Sequence, residues 1–351
     1  MTNITLRQQN IIKIMLRKGK LQSSAIHQEL ISSGESISLV SIKRALSEMV
    51  KNKLLETSRS GRYIVYEIST RGRIFADINS QEYLAVEPDN RFGLDKYNFD
   101  LLKDFPNEIF NQDELSLLNN ATRTYHKRIK DISNVIAEKE LLRLIIELSW
   151  KSSKIEGNTY TLLDTENLIL KNKEAVGHEK DEATMILNHK DAFLFIRNNE
   201  TEFKKLNSRN LEALHTILIK DLGVNKGLRK GLVGITGSKY RPLENIYQIK
   251  EAIEELGKTI SRSNTVYEKA LLALVGISYI QPFEDGNKRT GRLMANALLL
   301  SHGHAPLSYR SINEEEYRSA ILAFYEINTI VPFKKIFIDQ YLFAANNYAV
   351  K

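Results

Sequence analysis

Apolar positions recur at three- and four-residue steps through most of the chain, which predicts a mainly α protein. Ile11, Ile12, Met15 and Leu16 share one face of a helix over residues 6–20, ended by Gly19. Ser23 or Ser24 caps a second helix that stops at Gly34. Ser38 caps a third, in which Leu39, Ile42, Leu46, Met49 and Val50 form the apolar face. Leu54–Thr57 and Tyr63–Ile68 then alternate as strands, joined by a turn at Ser58-Arg59-Ser60-Gly61. Pro88, Asp89, Asn90 and Gly93, followed by Pro106 and Asn107, break the periodicity, so residues 76–114 are expected to connect two domains. From Glu114 to Trp150 the chain reads as helical, with Leu115, Leu118 and later Leu141, Leu142, Ile145, Ile146 and Leu148 forming apolar stripes. Further helices are expected over 164–172, 180–197, 207–220, 247–263, 267–279, 289–302 and 314–325. One stretch of this part, Gly234 to Pro242, has hairpin chemistry instead.

Composition narrows the class. In 351 residues, 42% hydrophobic and 26% charged side chains exclude wholesale disorder. The longest apolar run, Ala270 to Ile280, falls far short of the roughly 20 residues a membrane span needs. No signal-peptide pattern precedes Leu6, and the absence of cysteine excludes disulfides and thiolate metal sites. A cytoplasmic location with no membrane partner is the expectation.

The net charge of +7 is unevenly spread. Residues 1–75 hold thirteen Lys and Arg against five Glu, a surplus of +8, and the remaining 276 residues carry −1. A localised surplus points to a basic module with a polyanionic partner. Three short helices followed by a basic-tipped hairpin resemble a winged helix-turn-helix, a small α+β domain over residues 1–75. That resemblance implies duplex DNA as partner. The third helix would enter the major groove with Lys43, Arg44 and Lys51, while Arg59 and Arg62 on the wing would reach phosphate or the minor groove. A homo-oligomer would suit a palindromic site.

The stretch Gln281-Pro282-Phe283-Glu284-Asp285-Gly286-Asn287-Lys288-Arg289-Thr290-Gly291-Arg292 lies between two apolar helices. A Gly-Asn pair opening a helix lets backbone N–H groups converge on an anion, and the helix dipole favours negative charge there. Arg289 and Arg292, three apart, can turn two guanidinium forks to one polyphosphate. Asp285 is a hard oxygen ligand where a phosphate-bridging Mg²⁺ would be wanted.

These residues resemble the core motif of the Fic (Fido-fold) family, His-Pro-Phe-x-Asp/Glu-Gly-Asn-x-Arg-x-x-Arg, at every specified position except the first. Ser152-Ser153-Lys154-Ile155-Glu156-Gly157-Asn158 resembles the family's inhibitory helix motif. His215, Gly227-Leu228-Arg229, Val233, Ile235 and Gly237-Ser238-x-Tyr240-x-Pro242 resemble the helix and flap that precede the core, and Tyr317 and Ala320 the helix that follows it. The likeness spans roughly residues 115–340. It implies a Fic domain over 115–351: N-terminal helices with the inhibitory motif over 115–163, then a helical core and C-terminal helices over 164–351 with a β-hairpin flap.

Family members typically transfer AMP from ATP to a protein hydroxyl. The resemblance implies ATP and Mg²⁺ as cofactors. Asp285 would hold the metal, Gly286, Asn287 and Lys288 would line the anion hole, and Arg289 and Arg292 would grip phosphate. Glu156 would compete with the nucleotide for Arg292. The flap, 233–242, would receive the target protein by strand addition. Gln281 stands where the family has its general-base histidine. An amide has no accessible basic pKa, and a positioned base is worth about 10²–10⁴ in rate. The expected protein is therefore a weakened or inactive adenylyltransferase relative, responding to an adenine nucleotide and associated with DNA. The alternative is an active, autoinhibited adenylyltransferase acting on Ser, Thr or Tyr hydroxyls. Lys288, where glycine is commoner, resembles the Doc branch and keeps a phosphotransferase in view. His189 and His215 are expected to be partly buried structural residues, and His302 and His304 loop residues.

Overall fold

The computed structural model describes residues 4–350. It divides into two compact units, the first comprising residues 1–106, 235–241 and 319–334 and the second the remainder.

In the first unit, α1 (Leu6–Lys18), α2 (Ser23–Ser32) and α3 (Leu39–Lys51) pack through Ile11, Ile12, Met15, Ile26, Leu30, Ile42, Leu46 and Met49, all at most 1% exposed. Thr5 and Gln8 form a capping box that starts α1, and Ser38 caps α3. Strands β1 (Leu55–Ser60) and β2 (Tyr63–Ile68) pair antiparallel from Leu55↔Ile68 to Ser60↔Tyr63, and Leu21 bridges Tyr66 on the other side of β2. The ladder runs three residues further than the sequence pattern suggests. Ser58 and Arg59 are strand residues, and the turn is Gly61-Arg62, because polar side chains on a solvent-facing strand do not interrupt backbone pairing. Two short helices, α4 (Thr70–Ile74) and α5 (Ser80–Leu84), follow.

Residues 76–106 are folded, with Leu101, Leu102 and Phe105 buried. Their anchor is Glu326, fully buried, which pairs with Arg91 (3.3 Å) and accepts hydrogen bonds from Tyr83 (2.7 Å) and Ser238 (2.7 Å). Arg91 also donates to the Gly237 carbonyl (2.7 Å). Residues 235–241 therefore hang on a buried ion pair. They make a reverse turn, Ser238 N–H to Ile235 O, but not the expected hairpin. Arg241 bridges Lys96 in parallel, so the outgoing arm finds its backbone partner elsewhere, and β1–β2 is the sheet among the described residues.

The second unit is helical: α6 (Gln112–Lys130), α7 (Asn134–Ile155), α8 (Leu162–Lys171), α9 (Lys180–Asn198), α10 (Ser208–Leu218), α11 (Ile246–Arg262), α12 (Val266–Ile280) and α13 (Asn287–Leu300). It also holds the first turn of α14 (Glu314–Ile327) and most of α15 (Val331–Asn347). The helical stretch over 114–150 is made of two helices, with Ser133 capping α7 and residues 131–133 between them. Helix α15 has no counterpart among the expected elements. Its apolar and aromatic residues lie on more than one face, which blurs a 3.6-residue period.

Helices α12 and α13 form the centre, with nearly every residue of both buried. Their approach depends on Gly291. A methyl group there would lie 2.8 Å from the Leu274 carbonyl oxygen, whereas one at Gly276 would meet the flexible Leu256 side chain. Gly291→Ala is expected to lower unfolding free energy by about 1–3 kcal/mol, and Gly276→Ala by less. Chemical denaturation of both variants measures the order, and a costlier Gly276→Ala would refute this account of the packing.

Candidate functional site

The loop between α12 and α13 starts at Gln281, which ends α12 in the left-handed region (φ 51°), and finishes at Gly286 (φ 77°). A glycine relieves the strain of that conformation, but Gln281 has no such freedom and is held by its neighbours. Its side-chain amide donates to the Ser278 carbonyl (2.6 Å) and accepts from Asn287 Nδ2 (2.9 Å). Asn287 also bonds both the N–H and the C=O of Phe283, each at 2.9 Å, so one side chain stitches the loop closed.

Two further residues fix the loop from outside. Arg229, 2% exposed, donates through Nε to the Gln281 carbonyl (2.6 Å) and through its other nitrogens to the carbonyls of Gly231 and Leu243. Its own N–H reaches the Pro282 carbonyl (3.0 Å). His215 stacks on Phe283, with ring centroids 3.6 Å apart and planes 5° from parallel. Its Nε2–H donates to the Asp285 carbonyl (3.0 Å), which sets the tautomer. Burial, with help from the Arg289 charge, lowers the His215 pKa to about 4. The ring is neutral at pH 7, committed to a backbone oxygen and covered by Phe283. It supports the loop.

Helix α13 begins at this loop, so its first backbone N–H groups have no intrahelical acceptor. Arg289 and Arg292 stand one turn apart on it with very different partners. Arg289, 1% exposed, donates through Nη2 to Asp285 (2.9 Å) and leaves Nε and Nη1 without an acceptor. Such a buried, half-satisfied guanidinium fits an anion. Asp285 is 66% exposed on its side chain, and no group of three His, Asp or Glu residues suited to a metal occurs among the described residues. One exposed carboxylate next to an open guanidinium fits a Mg²⁺ ion that arrives with phosphate oxygens as its other ligands.

Arg292 is fully buried and engages a partner through each of its three nitrogens. Nε donates to Ser152 Oγ (2.8 Å), Nη2 to the Ser152 carbonyl (2.9 Å) and to Glu156 Oε1 (2.8 Å), and Tyr317 lies at 3.4 Å from Nη1. The other Glu156 oxygen pairs with Lys288 Nζ (2.7 Å). Glu156 sits at the C-terminal end of α7, and Ser152, one turn earlier on the same helix, is also hydrogen-bonded to His189 Nε2 (2.8 Å). Burial would raise the Glu156 pKa, but Arg292 and Lys288 outweigh it and hold the carboxyl at about 2. Burial, with the Arg292 and Arg289 charges, keeps His189 neutral.

The structure thus brings Gln281, Asp285, Gly286, Asn287, Lys288, Arg289, Arg292 and Glu156 into one site of the second unit. Arg229, Ser152 and the Lys288 contact to Glu156 carry roles that the sequence pattern did not assign. The serine lies in the quoted motif, but nothing in a sequence says which arginine it faces.

Residues 205–299 match the protein-family model of the Fic/DOC family. The chain contains a Fic/DOC family domain. It is 30% identical over 124 residues to a protein of Aquifex aeolicus named "Probable protein adenylyltransferase", covering 35% of this chain and 38% of that one. It is 28% identical over 181 residues to the protein adenylyltransferase Fic of Nematostella vectensis, covering 48% and 40%. The chain thus spans about two-fifths of the length of these two relatives. A Fic domain containing signaling protein from Bacteroides thetaiotaomicron shares the fold, with a TM-score of 0.56 at 18% identity over 66% of this chain and 94% of that one. No helix among the described residues is long and apolar enough to cross a membrane.

Lys43, Arg44, Lys51, Arg59 and Arg62 belong to the first unit, all exposed. The first three project from α3, and the last two belong to the β1–β2 hairpin.

Because the Glu156 pKa is lowered in the folded state, its stabilising contribution is present above the unfolded value of 4.5 and disappears as pH falls through about 2. The difference in unfolding free energy between wild type and Glu156→Gln is expected to be on the order of 3 kcal/mol near neutrality and to shrink steadily below pH 4.5. Urea unfolding from pH 7 to pH 2 measures it. A difference independent of pH would show that the carboxylate is not held by charge.

Proposed function

We propose that this Fic domain binds ATP with Mg²⁺ at the start of α13, that Glu156 gates the site, and that AMP transfer is weakened because Gln281 offers no base. The observation that carries the reading is the contrast between the two arginines: Arg289 is buried with open donors, while Arg292 is occupied by Glu156. ATP phosphates would take the α13 N–H groups of Gly286, Asn287 and Lys288 and the free donors of Arg289, and Asp285 would hold the metal. When bound, Mg²⁺ would neutralise phosphate charge. A γ-phosphate directed to Arg292 would have to displace Glu156.

AMP transfer requires a target hydroxyl to attack the α-phosphorus while the bond to the β-phosphate breaks and pyrophosphate leaves. The hydroxyl proton needs an acceptor. The Gln281 amide has none to offer, and both its ends are consumed by Ser278 and Asn287. The names of the curated relatives favour AMP transfer as the ancestral chemistry. Residues 233–242 remain the proposed docking segment for a protein target.

Wild type, Gln281→His, Glu156→Gly and the double variant, each incubated with ATP labelled at the α- or γ-phosphate, test the reading. Label from the α-phosphate is expected in protein for the double variant alone. Transfer by wild type or Glu156→Gly would restore the active, autoinhibited adenylyltransferase, and γ-label alone would restore the phosphotransferase. No calorimetric binding of ATP to Glu156→Gly would remove the nucleotide site itself.

We further propose that α1 to α3 and the hairpin act as a winged helix on duplex DNA. The support is the +8 charge of residues 1–75 together with the exposure of all five basic candidates on α3 and the β-hairpin. Neutralising phosphates releases counterions, so affinity should fall steeply as salt rises. Gel shifts with a random-sequence duplex are expected to show this, and a Lys43→Ala, Arg44→Ala variant to bind more weakly with a shallower salt slope. Binding that ignores both salt and these lysine and arginine side chains would refute it.

A further inference from the structure

Within the first unit, α1 faces α5 and its flanking residues across a cavity of about 400 Å³, within the range of roughly 300–1,000 Å³ typical of small-molecule sites. Its apolar wall includes Leu16, Ile78, Val86 and Phe92. Tyr83 packs edge-on against Phe92, with centroids 5.0 Å apart and planes at 67°, so the aromatic wall is fixed.

The charged lining is mostly cationic, with Asn79 and Asn90 as neutral polar neighbours. Lys13, Arg17 and Arg91 face one carboxylate, Glu82. Arg17 lies 5.9 Å from the centre of the Phe92 ring, and neither it nor Lys13 forms an ion pair among the described residues. Arg91 is 4% exposed and, despite its bonds to Glu326 and Gly237, leaves Nε without a partner. A pocket with one apolar wall of fixed rings, two cations outside any ion pair and a buried guanidinium short of an acceptor is complementary to a flat, singly charged anion. A neutral molecule would leave the cations unmatched. A polyphosphate would leave the apolar wall unused.

We propose that this cavity is a binding site for a small organic acid of the aromatic carboxylate class, separate from the nucleotide site. The ring lies against Leu16, Ile78 and Phe92, and the carboxylate meets Lys13 and Arg17. The anchor of residues 235–241, Arg91, forms part of the same wall, so the ligand touches the residue that holds that segment.

Calorimetry on the full chain with 2-naphthoate and its uncharged analogue 2-naphthamide tests this. One saturable site is expected for the acid, with the amide at least roughly tenfold weaker. Lys13→Glu with Arg17→Glu is expected to weaken naphthoate by at least as much, and Val86→Trp to fill the cavity and remove binding, while circular dichroism and ATP titration stay as in wild type. No saturable binding at millimolar naphthoate, equal binding of acid and amide, or binding indifferent to both variants would each overturn the proposal.

Discussion

A guanidinium with no solvent exposure dictates the arrangement around α13. Burying a charge is tolerable only when every donor finds an acceptor and a counter-charge is close. For Arg292 those partners are the carbonyl and hydroxyl of Ser152, the carboxylate of Glu156 and the ring and hydroxyl of Tyr317. Three helices, α7, α13 and α14, therefore converge on one side chain. Gly291, its neighbour in sequence, lets α13 lie against the backbone of α12 and so sets the depth at which Arg292 is buried. Moving any of these elements would leave a charged group uncompensated, which typically costs about 3–5 kcal/mol.

The loop ahead of α13 is rigid for a related reason. Its backbone polar groups are met by protein side chains: Asn287 at Phe283, Arg229 at Gln281, His215 at Asp285. A loop held this way presents the α13 N-terminus without reorganising, the condition for strong anion binding in a fixed geometry. The side chain left short of partners is Arg289, one turn into the helix. Protein satisfies one arginine of the motif and leaves the other open, a division of roles that their equal spacing in sequence does not express.

Most helices were legible because their apolar residues keep one period and their caps are ordinary serine, threonine and asparagine side chains. What escaped has specific causes. In α15 the apolar residues surround the helix. Residues 235–241 take their partners from Asp95, Lys96, Arg91 and Glu326, contacts too distant in sequence to be read from turn chemistry. The site was legible wherever a motif fixes spacing, which brought Asp285 to Arg292 and Glu156 to attention. The partners of Lys288 and Ser152 were not, because a side chain's choice among nearby ions depends on how helices pack.

Gln281, at the one specified motif position that differs, and Lys288, at a position where glycine is commoner, bear on different steps. Lys288 adds a second cation to Glu156, and its Nζ lies at 2.7 Å from the oxygen that Arg292 does not use. A single-arginine gate opens when phosphate outcompetes one carboxylate contact. Here both contacts must break together, and breaking them frees two cations at once. If Glu156 gates the site as proposed, Lys288 would tighten the closed state and strengthen phosphate binding in the open one, sharpening the difference between them. Gln281 leaves that balance untouched, since its amide is tied to Ser278 and Asn287 and touches neither Glu156 nor Arg292. On the proposed reading, in which Gln281 supplies no base, the doubled contact to Glu156 favours a site whose output is the state of that carboxylate.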